Sequence, residues 1–213
     1  MTEKRLASLT LEGFLEALGS DAPTPGGGAA GAVSGATGAA LIAMVGRLTV
    51  GKLGFEDVGD RMRALIGKAD AARLAFLDLA DRDAHAFDGV MAAFKMPKET
   101  DEDKALRSAA IQSGYEKAAK VPLEIARAAV DLMALAEDAT ATGNPQAASD
   151  GVSGSAHLYC AALCAIANVE INAASLKDET RRAALLDEGA ALRGRADQSV
   201  RENQTLFQLR LSS

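Results

Sequence analysis

The chain has 213 residues, 48% of them hydrophobic and 24% charged, with a formal net charge of −6. That length supports one ample core, and the acidic balance, the missing Lys/Arg block and the absence of Trp argue against nucleic acid as a partner. The opening M-T-E-K-R-L-A-S-L-T has no apolar run of signal-peptide type, and two cysteines within an apolar segment fit a reducing compartment, so the expected setting is cytoplasmic.

Nearly every segment has helical period and none alternates as a strand. Thr10 is placed to cap a short helix carrying Leu11, Phe14, Leu15 and Leu18, which stops near Gly19. There follows D-A-P-T-P-G-G-G-A-A-G-A-V-S-G-A-T-G-A-A-L-I-A-M-V-G over residues 21–46, with no charge between Asp21 and Arg47. Pro23 and Pro25 fix the entry, and Gly26, Gly27 and Gly28 strip it of side chains, so backbone N–H groups can come up against a ligand. The second helix is expected over 27–50, ending at Gly51. From Ala22 to Gly46 it has seven Gly and eight Ala against five bulky apolar residues, too little hydrocarbon to enter a membrane. Gly27, Gly31 and Gly35 recur every fourth residue, which suits the close approach of another helix. Lys52 follows, either complementing the helix dipole or anchoring an anionic ligand.

The third helix, about 55–94 and closed by Pro97, contains an anomaly. Its apolar stripe runs Val58, Met62, Leu65, Ala69, Ala72, Phe76, Ala80, then Asp83, then Phe87, Val90 and Phe94, in steps of three or four. A carboxylate there must find a partner, raise its pKa or face a wet cavity. Two roles fit Asp83: satisfying a neighbouring helix end or an Arg, and acting as a general acid/base. Asp78, Asp81, His85 and Asp88 share the opposite face, where solvated charges are expected.

Thr100 or Asp101 caps a fourth helix reaching about Lys120, and Pro122 suits the first turn of a fifth ending before Gly143-Asn144-Pro145. A sixth is expected over 148–175 and a seventh over 178–209. From Gly151 to Val169 the sixth is again free of formal charge and rich in small residues. The expected fold is thus all-α, a single-domain bundle of about seven helices over 1–213 with two central uncharged helices. Two such helices imply a thick core or burial between subunits, hence a homodimer. His157, Cys160 and Cys164 share a face but lack a fourth ligand, so they read as packing residues and no metal is expected. Asn144 suits a turn and Asp150 a cap, while Asn168 and Asn172, four apart, either bond between helices or line a cavity.

Taken together, A-P-T-P-G-G-G-A-A (22–30), G-A-A-L-I-A-M-V-G-R-L-T-V-G-K (38–52), D-R-D-A-H-A-F (81–87), K-M-P-K-E-T (95–100), V-P-L-E (121–124) and G-N-P-Q-A-A-S-D (143–150) resemble the cyclodeaminase/cyclohydrolase family of folate enzymes. The resemblance covers nearly the whole chain and implies an all-helical, dimeric protein acting on a reduced folate. It carries the catalytic aspartate to Asp83, with Asp81 as runner-up. The substrate-binding positions implied are Pro25, Gly26, Gly27, Gly28, Lys52, Asn144, Asp150 and Asn168, with Arg47, Lys95 and Lys98 as further candidate cations for the anionic tail. The expected reaction is hydrolysis of 5,10-methenyltetrahydrofolate to 10-formyltetrahydrofolate, with no metal and no cofactor beyond the tetrahydrofolate substrate. Formiminotetrahydrofolate cyclodeaminase is the alternative reaction, and an inactive folate-binding or scaffold dimer the alternative without chemistry.

Overall fold

In the computed structural model the described residues are 5–212, and among them there is no strand. The helices are α1 (Leu11–Leu18), α2 (Gly27–Arg47), α3 (Gly59–Phe94), α4 (Asp101–Thr142), α5 (Ala148–Ala173) and α6 (Glu179–Leu211), joined by single 3-10 turns at Leu6–Ser8, Glu56–Val58 and Pro145–Ala147. Two N-caps fall where the sequence puts them. The Thr10 hydroxyl accepts from Gly13 N–H at 3.1 Å, and Thr100 and Asp103 form a reciprocal capping box.

One expected boundary is absent. The predicted fourth and fifth helices are a single element, α4, with Pro122 inside it. A proline there cannot donate to the carbonyl four residues back, which strands the carbonyl of Ala118. The stranded acceptor is met from another helix: Asn172 Nδ2 on α5 donates to Ala118 O at 2.9 Å. Leaving such a buried carbonyl unpaired would cost about 1–3 kcal/mol.

Helices α2, α3, α4 and α5 pack as an antiparallel ring, each against the next and α5 back against α2, while α6 covers the groove between α4 and α5. Close approach around α2 depends on glycine. A Cβ on Gly35 would sit 2.7 Å from the Phe76 ring on α3, and one on Gly38 would sit 2.7 Å from the Gly154 carbonyl oxygen on α5. Both uncharged helices are long and apolar enough to cross a membrane by length and composition, yet each takes a place in this ring. Their shared outer groove has no covering helix among the described residues; Thr37, Ala40 and Met44 of α2 and Ser153, Ala156 and Cys160 of α5 are exposed along them.

The helices differ in length, and this makes room for a site. Gly28, at the start of α2, lies against Asp83 of α3, so the eleven residues from Ala84 to Phe94 run on past the start of α2. At 1.5 Å per residue the overhang is about 16 Å. It is paired with the first half of α4, where Gly114 packs on Val90.

Gly38→Ala tests the α2–α5 approach. The intrinsic gain of Ala over Gly in a helix is about 1 kcal/mol, but here the methyl meets rigid backbone on the facing helix. A net loss of about 1–3 kcal/mol in urea-unfolding stability is expected; an equal or more stable variant would contradict this packing.

Candidate active site

Under the overhang is a cavity of about 500 Å³. Its floor is the glycine turn, with Pro23, Thr24, Gly26 and Gly27; Asp83, Phe87 and Tyr115 come from the α3–α4 hairpin; and Asn168, Ile171, Asn172 and Ser175 come from the end of α5 and the residues after it. None of these lining residues is cationic.

Asp83 is the central group. Helix α2 starts at Gly27 with Gly26 as its cap, and a glycine has no side chain to satisfy the first-turn N–H groups. Asp83 supplies what is missing from the neighbouring helix: its carboxylate accepts the Ala29 N–H, the third of the helix. It lies so close over Gly28 that a Cβ at that position would collide with both carboxylate oxygens. Burial pushes its pKa up from 3.8 to about 6, and the Ala29 hydrogen bond opposes that shift without cancelling it. The structure shows the first role weighed for Asp83, a helix-end partner, and sets the same carboxylate on a cavity wall. A half-buried carboxylate with a pKa near 6 can exchange a proton near neutral pH.

Asp81 is neither solvated, as its face predicts, nor in the cavity. It is buried; its Oδ2 accepts from Arg5 Nε at 2.8 Å and its Oδ1 from Leu6 N–H at 2.6 Å. Both oxygens are engaged in clipping the N-terminal 3-10 turn to α3, so Asp81 is an anchor. The other members of its face, Asp78, His85 and Asp88, are exposed as expected.

The remaining expected positions divide by distance along α2. Gly26, Gly27 and Asn168 line the cavity, with Gly28 directly beneath the carboxylate. Pro25 follows a cis Thr24–Pro25 peptide and does not itself line it. Lys52 and Asn144 lie beyond the opposite end of α2, about 30 Å away along 21 residues, and Asp150 is in the first turn of α5, which packs near that end. There Asn144 N–H donates to Thr49 Oγ1 at 2.8 Å and its Nδ2 to Leu48 O at 3.3 Å, tying the α4–α5 connection to the end of α2. Neighbourhood in sequence misplaced Lys52, because a helix carries it away from the glycine turn. Arg47 at the same end pairs with Asp70, and Lys95 and Lys98 lie past the end of α3, outside the cavity lining. Cys160 is exposed rather than packed in the core, its sulfur 4.0 Å from that of half-exposed Cys164.

Tyr115, Ile171 and Ser175 were not expected. For two of them the signal was available: Asn168, Ile171, Asn172 and Ser175 follow i, i+3, i+4, i+7 spacing, one face leading out of α5. Tyr115 gave none, since its place depends on how α4 pairs with α3.

The Asp83 shift has a stability consequence. Its folded pKa lies above the unfolded value, so the folded state binds more protons between roughly pH 4 and 6, and stability falls as pH rises through that window. Asp83→Asn removes the buried charge and is expected to be more stable than the parent at pH 8, by up to about 3 kcal/mol, with the gap closing below pH 4. Urea midpoints at the two pH values check this, and a pH-independent difference would refute it.

Several known proteins resemble this chain. The family model described as formiminotransferase-cyclodeaminase matches residues 10–191. A methenyltetrahydrofolate cyclohydrolase of Methylorubrum extorquens is 40% identical over 169 residues, covering 79% of this chain and 81% of that protein. A formimidoyltransferase-cyclodeaminase of Sus scrofa is 36% identical over 181 residues; the match covers 85% of this chain but only 34% of that larger protein. The crystal structure of a formiminotetrahydrofolate cyclodeaminase from Thermotoga maritima superposes with a TM-score of 0.85 at 30% identity, covering 95% of this chain and 98% of that one. The chain belongs to the formiminotransferase-cyclodeaminase family.

Proposed function

We propose that this protein is a methenyltetrahydrofolate cyclohydrolase, opening the one-carbon bridge of 5,10-methenyltetrahydrofolate to give 10-formyltetrahydrofolate. The observation that carries the reading is Asp83, a carboxylate with a pKa of about 6 on the wall of a cavity with no cation among its described lining residues. The substrate bridge is an amidinium-type cation, which a carboxylate attracts and a lysine would repel. The Methylorubrum cyclohydrolase, matched across most of both chains, supports the choice of reaction.

Asp83 takes a proton from water as its oxygen adds to the bridge carbon, forming a tetrahedral centre that bears both folate nitrogens. The protonated carboxyl then returns the proton to N5, the carbon–N5 bond breaks, and the new hydroxyl loses its proton to leave the formyl group on N10. One water is consumed and one proton released. Phe87 and Ile171 supply apolar surface for a flat ring, and no cofactor is needed beyond the folate itself. The anionic glutamate tail finds no cation among the lining residues and so extends out of the cavity. Formiminotetrahydrofolate cyclodeaminase is the second reading, favoured by the Thermotoga structure. It passes through a similar tetrahedral carbon, with ammonia leaving as N10 closes the ring.

Loss of the near-ultraviolet methenyl absorbance is the direct assay. The wild type is expected to accelerate it, with kcat/KM falling on acidification through about pH 6 as the base is protonated. Asp83→Asn should lose at least about 100-fold, within the usual range for a general base. Gly28→Ala should lose activity comparably while keeping its helical circular dichroism, because the methyl displaces the end of one side chain and not backbone. A wild type no faster than buffer but releasing ammonia from formiminotetrahydrofolate would establish the cyclodeaminase. Activity in neither assay would leave the inactive folate-binding dimer.

The uncovered groove between α2 and α5 supports a homodimer as the working unit. It combines exposure with the two charge-free runs of the sequence, and a second copy presents the same surface back. Sedimentation should give twice the chain mass, falling to the monomer in Ala40→Glu/Ala156→Glu; a wild-type monomer would refute the interface. Two free thiols accord with a cytoplasmic setting.

A further inference from the structure

Asn168 and Asn172 both line the cavity, and both use Nδ2 to donate to a carbonyl. Their bonds are not equivalent. Asn168 donates to Cys164 O at 2.8 Å, a carbonyl one turn back on its own helix that already serves the helix ladder. Asn172 donates to Ala118 O at 2.9 Å on α4, a carbonyl left without a helical donor because residue 122 is proline. That acceptor is buried, so turning the Asn172 amide over would bring two oxygens face to face and leave both unpaired. The amide of Asn172 therefore has one allowed orientation. Its Oδ1 accepts from no described group.

We infer that Asn172, oriented by the carbonyl Pro122 strands, is a specificity-determining acceptor that reads the N–H edge of the pterin's pyrimidine half, with Pro122 as its positioning residue. This rests on the folate reading given above. A reduced pterin carries an exocyclic 2-amino group and an N3–H side by side, donors that need an acceptor when desolvated. Asn172 is only 8% exposed, so a donor reaching it is already out of water, where an unmatched partner is most heavily penalised. An adjustable amide could accept from one ligand and donate to another; a fixed one cannot. The proline thus makes this wall of the cavity selective for donors.

The test compares 5,10-methenyltetrahydrofolate with its analogue bearing methyl in place of the 2-amino group, using wild type and Pro122→Ala. The wild type should show a KM at least about tenfold higher for the analogue, the scale of one hydrogen bond lost with a buried partner left unpaired. Pro122→Ala returns an N–H to Ala118 and releases Asn172 to rotate. Its KM for the natural substrate should rise by no more than about twofold, because the acceptor orientation stays available, while that for the analogue falls as the freed amide readjusts, narrowing the discrimination to within about threefold. Equal KM values for both substrates in the wild type would overturn the assignment, and this arm needs no variant. Full discrimination in Pro122→Ala would overturn the positioning role. A wild type that processes neither substrate instead removes the folate reading itself, an outcome marked by loss of both signals rather than of the difference between them. A purely structural Pro122 would change stability, or both KM values together, but not their ratio.

Discussion

The architecture depends on how closely α2 is approached by its neighbours. Glycines at 28, 31, 35, 38 and 46 leave room there for a carboxylate, a cysteine Cβ, a phenyl ring, a backbone carbonyl and an isoleucine side chain respectively. Dispersion and burial then act between helix backbones nearly in contact, which suits a core built largely of alanine. The same absence of side chains leaves room over the first turn of α2 for the Asp83 carboxylate, which a Cβ on Gly28 would displace from the unsatisfied N–H groups there. Packing and chemistry therefore share one cause, the missing side chains of a single helix.

Asp83 illustrates how two opposed influences tune one group. Burial disfavours its charge, while the Ala29 N–H and the positive end of α2 favour it, and the balance falls near pH 6. A lysine or arginine nearby would have held the carboxylate low and made it a poor base. Asp81, two residues away on the same helix, instead meets Arg5 and a backbone N–H and serves as a fastening. Helical rotation between positions 81 and 83 separates the two environments.

Much of this was legible in the sequence because helical period, caps and charge-free runs are local signals. The helical class, the Thr10 and Thr100 caps and the odd carboxylate of the third stripe all came from spacing. Elements failed where a partner distant in sequence decides. Pro122 reads as a helix start because its missing donor is a local fact, whereas its compensation comes from Asn172, fifty residues on. Asp81 reads as solvated because Arg5 and Leu6 are 76 and 75 residues before it. Lys52 was assigned to the glycine turn by proximity along the chain, and the rigid length of α2 carries it to the other end of the bundle. Asn144 and Asp150, offered by the resemblance and not by proximity, lie toward that end as well.

The overhang of the α3–α4 hairpin gives the cavity an origin separate from its chemistry. Its depth comes from two helices being longer than the one they pack against, with Phe87 and Tyr115 on the projecting part and Asp83 at its root. Depth and reactivity can therefore vary independently. Taking one turn from each arm beyond Val90 would lower the wall by about 5 Å without moving the carboxylate, and adding a turn would raise it. Within one bundle, helix length becomes a dial for substrate size.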